Sequence, residues 1–197
     1  MENIHPIFDQ VLERSSKEEL LKQKGIVLWF VGLSGSGKST VAKAIEAELH
    51  KAGKLTMLLD GDNLRTGINN NLGFSESDRE ENIRRAAEVA KLFANNGTIT
   101  ICSFISPTEK IREISSRIIG KDYFEVFIHC PLEVCEQRDV KGLYQKARKG
   151  EIKNFTGIDS PFENPSSPSI EVRTDLESLE VCTAKIMHAI KPLVYIS

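Results

Sequence analysis

The chain has 197 residues, with 26 Lys and Arg against 28 Asp and Glu, a net charge of −2. This length suits one domain with a sizeable core, and the charge balance implies no basic face for nucleic acid. No apolar stretch approaches a bilayer-spanning length and the N-terminus shows no signal-peptide h-region, so a cytoplasmic protein without membrane contact is expected.

Residues 1–24 are polar and read as an N-terminal extension with one short amphipathic helix, Lys17 to Lys22, ahead of a single domain at 25–197. Ile26–Val31 is apolar and β-branched enough for a buried parallel strand. Residues 32–39 then read Gly-Leu-Ser-Gly-Ser-Gly-Lys-Ser, a full match to G-x-x-x-x-G-K-[S/T]. Val41, Ile45 and Leu49 follow at helical spacing, predicting a helix over Lys38–Ala52 that stops at Gly53. A strand, a glycine-rich turn and a helix aim backbone N–H groups and a positive helix end at one point, which suits phosphates. The expected ligand is ATP or another nucleoside triphosphate, cradled by Gly32, Leu33, Ser34, Gly35, Ser36, Gly37, Lys38, Ser39 and Thr40. Lys38 would reach the β- and γ-phosphates and the Ser39 hydroxyl would ligate Mg²⁺.

Further strands are predicted at Leu55–Asp60, Thr98–Ile105 and Phe124–Cys130, with a weaker one at Ile170–Arg173. Helices are predicted at Asp78–Asn95, Pro107–Ile119 and Glu177–Ile190. This alternation implies an α/β fold, a three-layer doubly wound parallel sheet of five strands, with ligands beyond the C-terminal strand ends. Ser77 and Glu80 fit a capping box, and Ser106-Pro107 reads as a helix N-cap. Residues 138–168 carry Arg138, Lys141, Lys146, Arg148, Lys149 and Lys153, then Gly157, Pro161, Pro165 and Pro168. That composition predicts a long, mobile, charged lid over phosphates. Cys102, Cys130, Cys135 and Cys182 have neither CxxC nor zinc spacing and read as buried free thiols in a reducing cytosol. His5, His50, His129 and His188 show no metal-ligand spacing.

The second strand ends in Asp60-Gly-Asp62, two carboxylates beside the phosphate loop. They suit Mg²⁺-water ligation or acceptance of a hydroxyl proton; a solvated Asp/Gly turn is the bland alternative, and the position at a strand's C-terminal end favours function.

The run Asp60-Gly-Asp-Asn-Leu-Arg65, then Asn71-Leu-Gly-Phe-Ser75, Asp78-Arg79 and Glu81-Asn-Ile-Arg-Arg85, resembles the adenylylsulfate kinases. Ser103-Phe-Ile-Ser-Pro107, Pro131 to Asp139, Lys141-Gly-Leu-Tyr144 and Phe155-Thr-Gly-Ile-Asp159 extend the resemblance over about Gln23 to Asp175. It implies a P-loop kinase fold and transfer of the ATP γ-phosphoryl group to the 3′-hydroxyl of adenosine 5′-phosphosulfate. In that family's pattern Asp62 orients or deprotonates the hydroxyl and Asp60 supports the metal. Arg65, Arg79 and Asn82 bind the acceptor, Phe74 stacks on its adenine, Ile105 and Ser106 line its pocket, and Lys141 and Phe155 close over it. Arg79 and Asn82 also stand three apart, on one face of a helix start. The resemblance further gives Ser106 a phosphoserine role, but no base adjoins it in sequence and direct transfer accounts for the other residues. Three departures stand out: Phe162 replaces a common Tyr, Ser36 replaces a frequent Ala at an expected exposed position, and 164–169 lacks the usual acid. A homodimer and contact with a separate ATP sulfurylase are also implied. A related P-loop small-molecule kinase and a non-catalytic nucleotide sensor are the competing readings; loss of Lys38, Ser39 or Asp62 would mark the sensor, and all three are present.

Overall fold

The computed structural model describes residues 3–196, so residues 1 and 2 of the expected extension and residue 197 of the expected domain lie outside the described residues. In chain order the elements are α1 (Arg14–Leu21), β1 (Ile26–Val31), α2 (Lys38–Lys51), β2 (Thr56–Asp60), α3 (Gly61–Arg65) and α4 (Glu76–Asn95). There follow β3 (Ile99–Ser103), α5 (Glu109–Ile119), β4 (Tyr123–His129), α6 (Leu132–Arg138), α7 (Leu143–Arg148), β5 (Ile170–Arg173) and α8 (Leu179–Val194). All strands run parallel in the order β2-β3-β1-β4-β5.

The centre of the sheet follows from β1, whose six residues are all buried. Side chains alternate across a strand. Ile26, Leu28 and Phe30 therefore join the core under α2 and α8, with Val41, Ile45, Leu49, Ile186 and Ile190. Val27, Trp29 and Val31 join the opposite core with Ile83, Ala87 and Ala90 of α4 and Ile111 of α5. A strand apolar on both faces needs helices on both, and the three-layer fold supplies them. The chain leaves β1 outward to β2 and leaves β4 outward to β5, so the two connections diverge beside β1 and open a crevice there.

Several element ends differ from the sequence expectation, for local reasons. Ser75, not Ser77, caps α4, its Oγ accepting from the Asp78 amide at 3.2 Å, so the helix starts two residues earlier, at Glu76. The Ser-x-x-acid spacing occurs twice here, Ser75 to Asp78 and Ser77 to Glu80, and the chain uses the first. Thr108, not Ser106, caps α5. Strand β3 ends at Ser103, where its pairing with β2 ends at Asp60, although Phe104 N still donates to Phe30 O (3.2 Å) and Ile105 O still accepts from Gly32 N (3.4 Å) on the β1 side. Within 138–168 the chain forms α7 and a packed turn rather than an unstructured run: Tyr144 is 1% exposed and Thr156 2%. Tyr144 and Phe155 meet edge to face at 5.0 Å, against Leu33 and Cys135. The four cysteines are buried and free.

Candidate active site

The loop after β1 wraps the start of α2, whose N-cap Gly37 sits at φ +94° with no side-chain cap. A Cβ at Gly32 would stand 2.6 Å from the Ile128 carbonyl and 2.7 Å from Ser36 Oγ, so this glycine lets the loop lie directly on β4. The loop carbonyls are held from outside. Tyr144 donates its hydroxyl to Ser34 O (2.8 Å), Arg138 donates to Gly35 O (3.3 Å) and Thr174 donates to Ser36 O (2.7 Å). The first helix-start bonds of α2 run from Thr40 N and Val41 N to Gly37 O (both 3.0 Å), so the Lys38 and Ser39 N–H groups and the positive helix end are left to face an anion.

Lys38 is only 8% exposed, and its Nζ donates to Leu33 O at 2.7 Å. Burial pulls its pKa down to about 8, an unfavourable state that an arriving phosphate relieves. Ser39 Oγ donates to Asp60 Oδ2 at 2.8 Å and lies 3.3 Å from Ser103 Oγ. The other Asp60 oxygen caps α3, accepting from the Asp62 amide at 3.0 Å. Asp60 thus joins the phosphate loop to the short helix carrying Asp62 and Arg65. The Asp62 carboxylate pairs with the Lys141 ammonium.

Beyond α3 the same cavity, about 790 Å³, continues over a cationic aromatic floor. Phe74 is 61% exposed, which makes it a platform and not a core plug. The Arg65 guanidinium lies 4.4 Å from its ring centroid and that of Arg79 5.9 Å. Arg65 donates to Leu72 O and Gly73 O (3.1 and 2.8 Å), fixing the turn that presents Phe74. Arg79 donates to Phe74 O (3.0 Å), Thr156 Oγ1 (3.0 Å) and Asn154 O (2.5 Å), tying α4 to the lid. Desolvation lowers both guanidinium pKa values, and Arg65 adds repulsion at Arg79, although arginine stays charged. Two half-desolvated cations over one ring favour an aromatic anion.

Most of the sequence-derived set lines this cavity: Ser34, Gly35, Gly37, Lys38, Ser39, Thr40, Asp60, Asp62, Arg65, Phe74, Arg79, Asn82, Ile105, Ser106, Lys141 and Phe155. Gly32, Leu33 and Ser36 do not; they pack behind the loop, and Ser36 is fully buried where exposure was expected. Its hydroxyl has no partner, because Gly32 and the loop turn close over it. Ser103, Arg138, Thr156 and Thr174 also line the cavity. Ser103 was findable as the end of β3, but Thr156 and Thr174 carry no local signal.

Ser106 adopts a left-handed backbone, φ +45°, and is 2% exposed. Its Oγ accepts from Trp29 Nε1 at 3.0 Å and its carbonyl accepts from Arg112 Nη1 at 3.2 Å. Among the described residues no carboxylate or imidazole bonds the hydroxyl, so the hydrogen bonding fits a scaffold rather than an activated nucleophile.

The family model for adenylylsulphate kinase matches residues 24–173. An adenylyl-sulfate kinase of Bacteroides fragilis is 61% identical over 193 residues, 98% of this chain and 96% of its own. One from Clostridium acetobutylicum is 59% identical over 180 residues, 91% of this chain and 90% of its own. Among solved structures, the APS kinase of Mycobacterium tuberculosis in complex with AMPPNP and APS superposes with a TM-score of 0.82 at 45% identity, covering 85% of this chain and 98% of that one.

Proposed function

The chain belongs to the adenylylsulfate kinase family, and we propose that it moves the ATP γ-phosphoryl group to the 3′-hydroxyl of adenosine 5′-phosphosulfate, giving ADP and the 3′-phosphorylated product. The observation that carries this reading is the placement of α3. Its N-cap Asp60 touches Ser39 of the phosphate loop, and its last residue, Arg65, covers Phe74. Asp62 therefore lies between the phosphate donor end and the acceptor platform.

Phosphoryl transfer passes through a loose transition state that needs in-line positioning and charge neutralisation more than covalent chemistry. Lys38 and the first turn of α2 hold the β- and γ-phosphates, and Lys141 brings a lid cation to the reacting groups. Arg65 and Arg79 take the acceptor's anionic tail while Phe74 stacks on its base. Asp62 orients the 3′-hydroxyl and accepts its proton as the bond to phosphorus forms. Ser39 and Asp60 offer the hard oxygens that Mg²⁺ favours and would hold the ion, which would supply charge neutralisation for the transfer. Among the described residues no cluster of three or more His, Cys, Asp or Glu is arranged to hold an ion. Ser106 serves as backbone scaffold in this scheme, and transfer is direct.

The same reading takes residues 25–197 as one catalytic domain closed by a lid at 138–168, working in the cytoplasm as a homodimer that meets ATP sulfurylase as a separate chain. No helix among the described residues is long and apolar enough to cross a membrane. The test is ADP release from Mg-ATP with adenylylsulfate, run beside AMP, adenosine and shikimate. Turnover with adenylylsulfate alone and a 3′-phosphorylated product are expected. Turnover of a rival acceptor only would overturn the acceptor assignment, and tight adenylylsulfate binding without ADP release would make the protein a sensor.

A further inference from the structure

Asn69 lies on the turn between α3 and α4 and is fully buried, an unusual place for a primary amide. Its backbone is committed to the turn: Asn69 N donates to Leu64 O at 2.9 Å, and its carbonyl accepts from Leu72 N at 3.1 Å. Its side chain turns to α4. Nδ2 donates to Asn82 Oδ1 at 3.0 Å and approaches the Asn82 backbone carbonyl at 3.5 Å, while its own Oδ1 is buried with no partner.

We propose that Asn69 is a positioning residue that locks the Asn82 amide so that Asn82 presents only its NH₂ to the acceptor. The inference rests on the acceptor reading above. The orientation follows from the pairing. A backbone carbonyl only accepts, so the Asn69 atom facing it is the nitrogen. The Asn82 atom facing that nitrogen is then its oxygen. Among the described residues no protein group accepts from Asn82 Nδ2, and that atom is not sealed from solvent, whereas Asn69 Oδ1 is. Asn82 lines the cavity with Arg65 and Arg79, so three side chains offer donors at this end. A free asparagine could turn its oxygen to the ligand, which would repel an anionic oxygen. The unpartnered Oδ1 of Asn69 is what this lock costs, since an apolar side chain there would leave no polar atom stranded.

The test is steady-state kinetics on Asn69→Ala, Asn69→Asp, Asn82→Ala and the Asn69→Ala/Asn82→Ala pair, each with a thermal melt. Asn69→Ala should raise the adenylylsulfate KM about tenfold and leave the ATP KM unchanged. Asn69→Asp should do worse despite its matching shape, because a carboxylate would take the Asn82 NH₂ and turn Oδ1 on the acceptor. In the Asn82→Ala background, Asn69→Ala should add less than about twofold, since it acts through Asn82. Additive effects, or folded variants with an unchanged adenylylsulfate KM, overturn the proposal. If the variants do not fold, side-chain amide NMR of the wild-type chain decides. On adding adenylylsulfate the Asn82 NH₂ resonances should shift while those of Asn69 stay protected and nearly still; an unmoved Asn82 pair overturns it. Failure of the wild type to turn over adenylylsulfate would instead sink the acceptor reading, and this inference with it. Wild-type turnover with additive variants would sink the role of Asn69 alone.

Discussion

The nucleotide end of the cavity comes mainly from one short stretch of chain, Ser34, Gly35 and Gly37 to Thr40. The acceptor end is assembled from α3, the turn carrying Phe74, α4, the exit of β3 and the lid segment around Thr156. The first takes its shape from glycines and a helix start lying on β4, with Tyr144, Arg138 and Thr174 bracing the loop carbonyls from outside. The second exists only while distant pieces stay together, as in the Arg79 hydrogen bond to Thr156, 77 residues away. A contiguous site should fail through its own chemistry, whereas an assembled one can also fail through its joints.

The largest effect should come from the residue between the two ends. Asp62→Ala should lower kcat by about 10³-fold while leaving ATP binding largely intact, as read by single-turnover kinetics and nucleotide titration. Near-normal turnover would refute its role. Arg79→Ala should act on the acceptor end alone, raising the adenylylsulfate KM by about 10- to 100-fold with little change for ATP, because it removes an anion contact and a lid joint together. Equal losses for both substrates would show that the two ends are one cooperative unit.

The nucleotide end should instead respond to pH. With its pKa drawn down to about 8 by burial, Lys38 in the free protein loses its charge as pH rises through that value. ATP affinity should therefore weaken progressively above pH 8, and an isothermal titration series would read it. Stability of the ligand-free protein should move the other way. Between about 8 and the ordinary lysine range the unfolded chain holds the proton more tightly, so this group's contribution to stability rises with pH there. The smallest effect is expected at Ser106. Ser106→Ala removes only an acceptor for Trp29 Nε1, so turnover should stay within about tenfold of the parent. Complete loss in a folded variant would restore an obligatory phosphoserine.

Legibility in the sequence follows the same division. The apolar run of β1, the loop at 32–39 and the stripe of α2 state the phosphate site without help from elsewhere, because strand, turn and helix periodicity act over a few residues. The caps were harder. Ser75 and Ser77 both precede an acid three residues on, with Asp78 and Glu80, and that spacing does not choose between them; the folded chain uses Ser75. Ser106-Pro107 has the chemistry of a cap, but Trp29 on the neighbouring strand claims its hydroxyl.

By itself the sequence determined the doubly wound sheet, the phosphate loop and, through an ordered set of short runs, the residues expected at the acceptor. Tertiary structure alone decided how those residues face one another. It set Asp60 against Ser39, Arg79 against Thr156, Tyr144 under the loop carbonyls and Asn69 against Asn82. The physical reason is that local periodicity encodes which face of an element is buried, whereas a hydrogen bond between distant side chains depends on angles and distances fixed only when the layers pack.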